Sequence, residues 1–134
     1  MTQENKELLL KDLCARLPYR VKIELTWWVM GEGTYINTTL EPDHIEQLLN
    51  DKDGDTEIKP YLRPMSSMTV EEFKEWLGYC KADYDCEFKP EPTFNFESCH
   101  LSINWLNAHH FDYRGLIEKG LAIAVTSKNN PYKN

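Results

Sequence analysis

The stretch RVKIELTWWVMGEGTYINTTL, residues 20–40, decides the fold. From Val21 to Trp27 every second residue is apolar, which is the pattern of a strand buried on one face. GEG at 31–33 supplies a turn, and the β-branched and aromatic residues after it favour a returning strand. The stretch therefore predicts an antiparallel hairpin with a loop of about three to five residues.

Trp28 stands among the polar residues of the first predicted strand. A large apolar side chain on that face lies either beneath a helix or at a contact surface with another molecule. Both alternatives are open from the sequence. Trp28 is therefore a candidate residue for an interaction surface.

Helical periodicity on both sides of the hairpin predicts elements that pack on it. Residues 4–16 place leucines and Cys14 on one stripe, with Asp12 and most other charges outside it, and Pro18 ends this helix. Residues 41–50 carry a proline suited to a first helical turn and predict a short second helix.

Thr69 opens the clearest helix of the sequence, which is predicted over 70–81. Its hydroxyl can cap the amide of Glu72 while the Glu72 carboxylate reaches back, an arrangement called a capping box. Apolar residues follow at helical spacing up to the polar segment KADYD. A further helix is predicted over 102–109.

Three other segments are predicted to be extended. IKPYLRP at 58–64 is restricted by Pro60 and Pro64 to an edge strand or an ordered loop. Residues 83–97 alternate weakly and are also interrupted by prolines. Residues 121–125 are predicted to form a final short strand.

These elements predict one α+β domain over residues 1–134. It consists of a small antiparallel sheet built on the hairpin, with about three or four helices packed on it. The order of the strands does not follow from the pattern. The polar end of the chain, from about residue 127, is expected to fray.

Composition bounds the class of protein. Hydrophobic residues make up 41% and charged residues 28% of the 134 positions, which is ordinary for a globular chain. The net charge of −7 argues against direct nucleic-acid binding, because a phosphate backbone requires a basic surface. The sequence has no apolar run of membrane-spanning length and no signal-peptide core near its start, so we expect a cytoplasmic protein without membrane contacts.

The acidic turn DKDGDTE has the beginning of a calcium loop but not its remainder. Asp51, Asp53 and Asp55 occupy alternate positions, as the first ligands of such a loop do. The required glycine and the closing glutamate would then fall at Thr56 and Leu62, and neither residue can serve. A solvated acidic turn is predicted instead, and its three aspartates complete the candidate interaction surface.

The potential zinc ligands Cys80, Cys86, Cys99 and His100 have an unsuitable spacing. Structural zinc sites pair their ligands two to four residues apart, whereas five residues separate the first two of these cysteines. We therefore expect reduced thiols, no bound metal and no cofactor.

NAHHFDYRGLI, residues 107–117, gathers the side chains that could carry chemistry: His109, His110, Asp112 and Arg114. Adjacent residues of a helix point about 100 degrees apart, so both histidines cannot face one site without a break in the helix. In the structural alternative, the histidines end one helix and Asp112 caps the next. The sequence contains no nucleophile elbow, Walker loop, HExxH motif or dinucleotide fingerprint, so an enzyme is not the favoured interpretation.

The cap hypothesis makes a local prediction. The Asp112 carboxylate is placed to accept the amides of Arg114 or Gly115 at the start of a helix over 113–119. Gly120 would end that helix, because glycine adopts the left-handed conformation that follows a helical C-terminus.

Three segments resemble an uncharacterised family of short proteins found in genomes and prophage-like regions of gut anaerobes. They are KELLLKDLCARLPY at 6–19, IKPYLRPMSSMTVEE at 58–72 and WLNAHHFDYRGLIEKGLAI at 105–123, about a third of the chain. The family has no assigned activity, so no residue role follows from the resemblance. It implies a bacterial or phage setting.

Together these observations predict a non-enzymatic accessory or protein-binding protein of phage or mobile-element type, with a protein partner. One alternative is a small hydrolase or nuclease that uses the His109 to Arg114 cluster. Another is an acidic inhibitor that imitates nucleic acid and binds a host DNA-binding protein. An enzyme requires those side chains to converge on a pocket, whereas a binding protein requires only an exposed patch.

Overall fold

The computed structural model describes residues 2–51, 54–86 and 100–132, with the backbone alone at 83–86. Within these ranges the chain forms four α-helices and five strands, which confirms the α+β class. No helix of the described chain is long and apolar enough to cross a membrane. The elements are α1 Gln3–Arg16, β1 Lys22–Val29, β2 Glu32–Thr39, α2 Pro42–Asn50, β3 Thr56–Pro64, α3 Val70–Cys86, α4 His100–Ala108, β4 Phe111–Asp112 and β5 Ile123–Ala124.

The hairpin of β1 and β2 is confirmed, but its loop is shorter than predicted. The two strands pair antiparallel as far as Val29 and Glu32. Only Met30 and Gly31 remain for the loop, and their φ angles of 52° and 82° are those that a type I′ turn requires. The predicted loop was too long because the last two residues of GEG belong to β2, where Gly33 pairs with a residue of β1.

The sheet is mixed rather than purely antiparallel, and β3 lies inside it. One edge of β3 pairs antiparallel with β1 over Thr56–Pro60. Beyond Pro60, β3 pairs in parallel with β5 at Tyr61–Leu62 and with β4 at Arg63–Pro64, and these two short strands lie on opposite sides of it. The predicted edge position was therefore wrong. Pro60 ends the first pairing and Pro64 ends the strand, so neither ring interrupts a ladder that continues past it.

Helices α1 and α2 join one side of the sheet in the larger hydrophobic core. The core residues are Leu9, Leu13, Val21, Ile23, Leu25, Leu40, Ile45, Leu48, Ile58, Leu62, Leu116, Leu121 and Ala122. A smaller cluster of Trp105, Leu106 and Phe111 joins α4 to β4. The first two helices and the α3–α4 pair therefore contribute to two separate apolar clusters.

The buried side of α1 differs from the predicted stripe. Asp12 and Arg16 are fully buried beside Leu9 and Leu13, whereas Cys14 is exposed. Asp12 and Arg16 stand four residues apart, so they lie on one face and form an ion pair there. The stripe was mispredicted because a paired charge can be buried where an unpaired one cannot.

The capping box of α3 is confirmed. The Glu72 N–H donates to Thr69 Oγ1 at 3.1 Å, and the Thr69 N–H donates to Glu72 Oε1 at 3.0 Å. Both Glu72 oxygens also accept from Arg63 of β3 at 2.7 Å, so the cap ties the helix to the sheet. These bonds, that of Arg63 first, lower the pKa of Glu72 to about 2. The helix continues to Cys86, beyond the predicted end at 81.

Residues 113–119 do not form the predicted helix, because Gly115 has a φ of 76° and breaks the helical path. Asp112 instead caps a single turn. Its two carboxylate oxygens accept the N–H groups of Leu116 and Ile117, both at 2.9 Å. Asp112 is thus a cap, as predicted, but of amides further along the chain than the two that were named.

The end of the chain differs from the expected frayed tail as far as Tyr132. The Tyr132 hydroxyl donates to the carbonyl of Tyr61 at 2.7 Å and accepts the N–H of Lys22 at 2.9 Å. Its ring stacks on His110 with 3.8 Å between centroids. One aromatic residue in a polar segment therefore docks the end of the chain against β1 and β3. The prolines of the predicted segment 83–97 lie outside the described residues.

Candidate protein-binding surface

The two histidines of the 107–117 stretch stack on different neighbours. His109 stacks on Trp105 of α4 with 4.1 Å between ring centroids, whereas His110 stacks on Tyr132. His110 follows the helix with a φ of 64°, which turns its side chain away from the helical path. Burial, and then the nearby charge of Arg16, lowers the pKa of His110 to about 4, so this imidazole is neutral at pH 7.

Arg114 belongs to a buried ionic network. Its Nη1 donates to Asp12 Oδ1 at 2.8 Å, and Arg16 Nε donates to Asp12 Oδ2 at 2.7 Å. Arg16 Nη2 also donates to the carbonyl of Phe111 at 2.6 Å. The Tyr113 ring lies within 5.2 Å of the guanidinium of Arg16 and 4.7 Å of that of Arg114. The network fastens α1 to the segment around β4.

The four side chains proposed for catalysis therefore do not converge. His109 and His110 each stack on a separate ring, Asp112 binds two backbone amides, and Arg114 binds Asp12. A hydrolytic site requires a base and its orienting partner to face one pocket. The geometry supports a structural role for this stretch of the chain.

Trp28 lies at the surface near the end of β1, rather than beneath a helix. It is 45% exposed, and its backbone N–H donates to the backbone carbonyl of Asp55 at 2.9 Å. Gly33 stands opposite Trp28 in the hairpin. A Cβ atom at Gly33 would lie 2.8 Å from the indole ring, so the glycine allows that ring to lie across β2.

The acidic turn lies beside Trp28. Asp51 Oδ1 accepts the N–H of Asp55 and Oδ2 accepts that of Thr56, both at 3.1 Å. The Asp51 carboxylate therefore shapes the turn, while Asp55 is exposed. Of the four residues predicted for an interaction surface, the structure brings Trp28, Asp51 and Asp55 together, and Asp53 lies outside the described residues.

Within the described chain, no group of three His, Cys, Asp or Glu side chains is arranged to hold a metal ion. The side chain of Cys86 and the whole of Cys99 lie outside that part of the chain.

Exposed apolar side chains lie on both faces of the hairpin, and the sequence interpretation missed them. The exposed side chains are Trp28, Val29, Met30, Tyr35 and Ile36, with exposures from 43% to 99%. The available signal was the composition of β2, EGTYINTT, which carries no charge after its first residue in a chain that is 28% charged. We call these five residues the hairpin patch.

The outer edge of β2 is open. β2 is the terminal strand of the sheet, and among the described residues no strand pairs with its outer side. The backbone N–H of Trp28 points toward β3 and away from β2. The odd-numbered residues of β1 therefore form the hydrogen bonds with β2. By the same alternation, the backbone groups of Gly33, Tyr35 and Asn37 point outward. β2 has no proline, lysine or bulge, the features that usually protect an edge.

Acidic side chains border the hairpin patch. Glu32 begins β2, Asp55 adjoins Trp28, and Glu57 lies in the adjacent strand β3. Lys59 offsets the charge of Glu57 at 3.3 Å. Within the described chain, Glu32 and Asp55 have no ion-pair partner, so the border is negatively charged.

Comparison of the chain with protein-family models, with curated proteins and with solved structures gave no match. The fold and its surface define a small α+β protein with an open sheet edge beside an apolar patch. Its function is therefore argued from that surface.

Proposed function

We propose that this chain is a non-enzymatic protein-binding protein, an accessory factor of the phage or mobile-element type, which binds its partner along the hairpin. The open edge of β2 is the observation that carries the proposal. An unprotected edge of eight residues is a template for an added strand, and in a protein that remains dispersed such an edge is covered by a partner.

The partner presents an extended segment that adds to β2 as a new strand. The outward backbone groups of Gly33, Tyr35 and Asn37 supply its hydrogen bonds, which are independent of the partner's sequence. Specificity comes from side chains. Apolar residues of the partner cover Tyr35 and Ile36, whose exposures of 66% and 43% leave a large area to bury.

Charge determines the rest of the partner's chemistry. Glu32 and Asp55 stand uncompensated at the border of the hairpin patch, and the whole chain carries a net charge of −7. Basic side chains flanking the partner's extended segment therefore complement this surface and accelerate association. The acidic-inhibitor alternative shares this preference for a basic partner but requires no strand addition.

The test uses the substitution Tyr35→Pro. Proline removes the outward N–H of residue 35 and places its ring at the open edge, while every hydrogen bond between β1 and β2 is retained. The full-length protein and this variant are used as baits in lysate of the bacterium that carries the gene. We expect a protein that the unaltered chain captures and the Tyr35→Pro chain loses, with binding then reproduced between the two purified proteins.

A matched control removes an exposed aromatic residue elsewhere. Tyr79 of α3 is 39% exposed, and Tyr79→Ser should leave capture unchanged. Equal capture by the unaltered chain and by Tyr35→Pro contradicts binding at the β2 edge. Capture that is lost equally in both variants shows a general apolar effect and also contradicts the proposal.

A further inference from the structure

A cleft of about 910 Å³ lies at the opposite end of the β1–β2 hairpin from its loop. Four separate parts of the chain line it: residues 17–22, the junction of β2 and α2 at 39–42, His110, and residues 131–132. Its lining does not include Gly33, Tyr35 or Asn37, the residues proposed above to bind the partner's strand. The volume is within the usual range for a small-molecule site.

Two residues that line the cleft have backbone conformations that favour glycine. Arg20 follows the short 3₁₀ helix Leu17–Tyr19 with a φ of 57°, and His110 follows α4 with a φ of 64°. The third such residue outside glycine, Met30, is explained by the hairpin turn. Side chains are thus retained at Arg20 and His110 although the backbone would be less strained without them.

The fold accounts for the His110 side chain but not for that of Arg20. His110 stacks on Tyr132 and helps to dock the end of the chain. Arg20 is exposed, and it makes no hydrogen bond or ion pair with any residue that the structure describes. A strained position that carries an unpaired charged side chain is typical of a functional residue.

A buried network of charged groups lies next to the segment that carries His110. Arg16 and Arg114 share the carboxylate of Asp12, and Asp112 adds a second buried carboxylate to this part of the protein. Arg16 is fully buried, and its Nη1 has no hydrogen-bond partner among the described residues. Its charge acts on His110, which lines the cleft and directly precedes the carbonyl that Arg16 holds.

Basic residues outnumber acidic residues on the wall of the cleft. The wall carries Arg20 and Lys22 but only one acid, Glu41, whereas the whole chain has 22 acidic and 15 basic residues. Glu41 precedes α2, where its backbone carbonyl accepts the N–H of His44 and its own N–H donates to His44 Nδ1, both at 3.0 Å. Lys22 Nζ donates to Thr39 Oγ1 at 2.6 Å, which holds its ammonium group at the cleft wall.

We propose that this cleft binds a small organic anion, whose phosphate or carboxylate group is held by Arg20 and Lys22. The anion offsets the positive charges of Arg20 and Lys22 on the wall of the cleft. The stacked rings of His110 and Tyr132 provide a flat apolar wall for the rest of the ligand. The exposed guanidinium of Arg20 closes on the anion with paired hydrogen bonds, which is the geometry that arginine provides better than lysine.

The experiment titrates the full chain, labelled with ¹⁵N, with inorganic phosphate, with acetate, and with sodium chloride at matched ionic strength. We expect saturable amide shifts confined to residues 19–22, 39–41, 110 and 132, with a dissociation constant of about 1–10 mM for the preferred ion. The phosphate and acetate series distinguish the two anionic groups. Equal, unsaturated shifts in all three series would mean that only ionic strength is sensed, and this result overturns the proposal.

The substitution Arg20→Gly separates ligand binding from folding. Glycine suits the left-handed backbone, so the melting temperature should stay the same or rise, while the affinity for the preferred anion should fall at least about fivefold. Arg20→Lys should keep part of that affinity, and Lys74→Ala, which removes an exposed charge on α3, should keep all of it. A lowered melting temperature in Arg20→Gly, or unchanged affinity, shows that Arg20 serves the fold or nothing at all and overturns the proposal.

Discussion

Asp112 shows how one carboxylate can serve two amides. Both of its oxygens are engaged, each at 2.9 Å from a backbone N–H, and the side chain is almost fully buried. An asparagine presents one oxygen and one NH₂ group, so it can satisfy only one of the two amides. This geometry distinguishes Asp112 from an ordinary helix cap, for which asparagine and aspartate are nearly equivalent.

We predict that Asp112→Asn lowers the free energy of unfolding by about 1 kcal/mol and Asp112→Ala by about 2 kcal/mol, because one and two buried amides lose their acceptor. Urea denaturation of the three proteins measures both values. A single hydrogen bond would make asparagine equivalent to aspartate, so a neutral Asp112→Asn would show that one of the two contacts is absent.

The stretch 107–117 was ambiguous in sequence because its side chains have partners at very different distances along the chain. His109 stacks on a residue four positions away, and the two amides that Asp112 caps lie within five residues. His110 stacks on Tyr132, and Arg114 pairs with Asp12 across about a hundred residues. Sequence spacing can indicate the first two contacts but not the last two.

At the scale of elements, local patterns were reliable where the contacts are local. The hairpin and the capping box follow from alternation and from a three-residue spacing, and both are confirmed. The strand β5, Ile123–Ala124, lies within the final strand predicted at 121–125, whereas β4 is two residues long and carries no periodicity. The interior position of β3 depends on those two strands, so it could not be predicted from its own sequence.

The α3 capping box provides a second prediction. Thr69→Ala removes one acceptor at the helix start and should lower the free energy of unfolding by about 1 kcal/mol. Glu72→Ala should have a larger effect, because Glu72 also binds Arg63 through two hydrogen bonds of 2.7 Å. Thermal unfolding of both variants gives the order. Equal losses would mean that the Arg63 contact contributes nothing to stability.

The hairpin provides a third prediction, which concerns the contact between Gly33 and Trp28. A methyl group at residue 33 would lie 2.8 Å from the indole, so Gly33→Ala must displace that ring and should lower the free energy of unfolding by about 1 kcal/mol. In a Trp28→Ala background the same change should be neutral or stabilising, since alanine is less flexible than glycine in the unfolded chain. A double-mutant cycle measures the difference. Additive effects would show that the indole does not lie over Gly33.

For the whole molecule, the two proposed sites lie at opposite ends of one hairpin and differ in chemistry. The hairpin patch is apolar with an acidic border, whereas the cleft near Arg20 and His110 is basic. The docked Tyr132 and the buried network around Asp12 both support the cleft end, so its shape depends on the folding of the complete chain. A ligand that binds there should stabilise the fold without altering the β2 edge.

His110 gives the molecule a specific sensitivity to acid, which is the last prediction. Its pKa is lowered from 6.5 to about 4 in the folded protein, first by burial and then by nearby positive charge. Between these two pH values the unfolded chain binds a proton that the folded chain does not, so stability is lost as pH falls from 6.5 to about 4, by at most about 1.4 kcal/mol per pH unit for this one group. His110→Phe keeps a stacking ring but cannot titrate, so its denaturation midpoint, measured in urea across this range, should fall less steeply than that of the unaltered protein. Strain at the left-handed backbone lowers the stability of the variant equally at every pH and leaves the slope unaffected. Parallel pH profiles for the two proteins would show that His110 takes up its proton equally well when folded and unfolded.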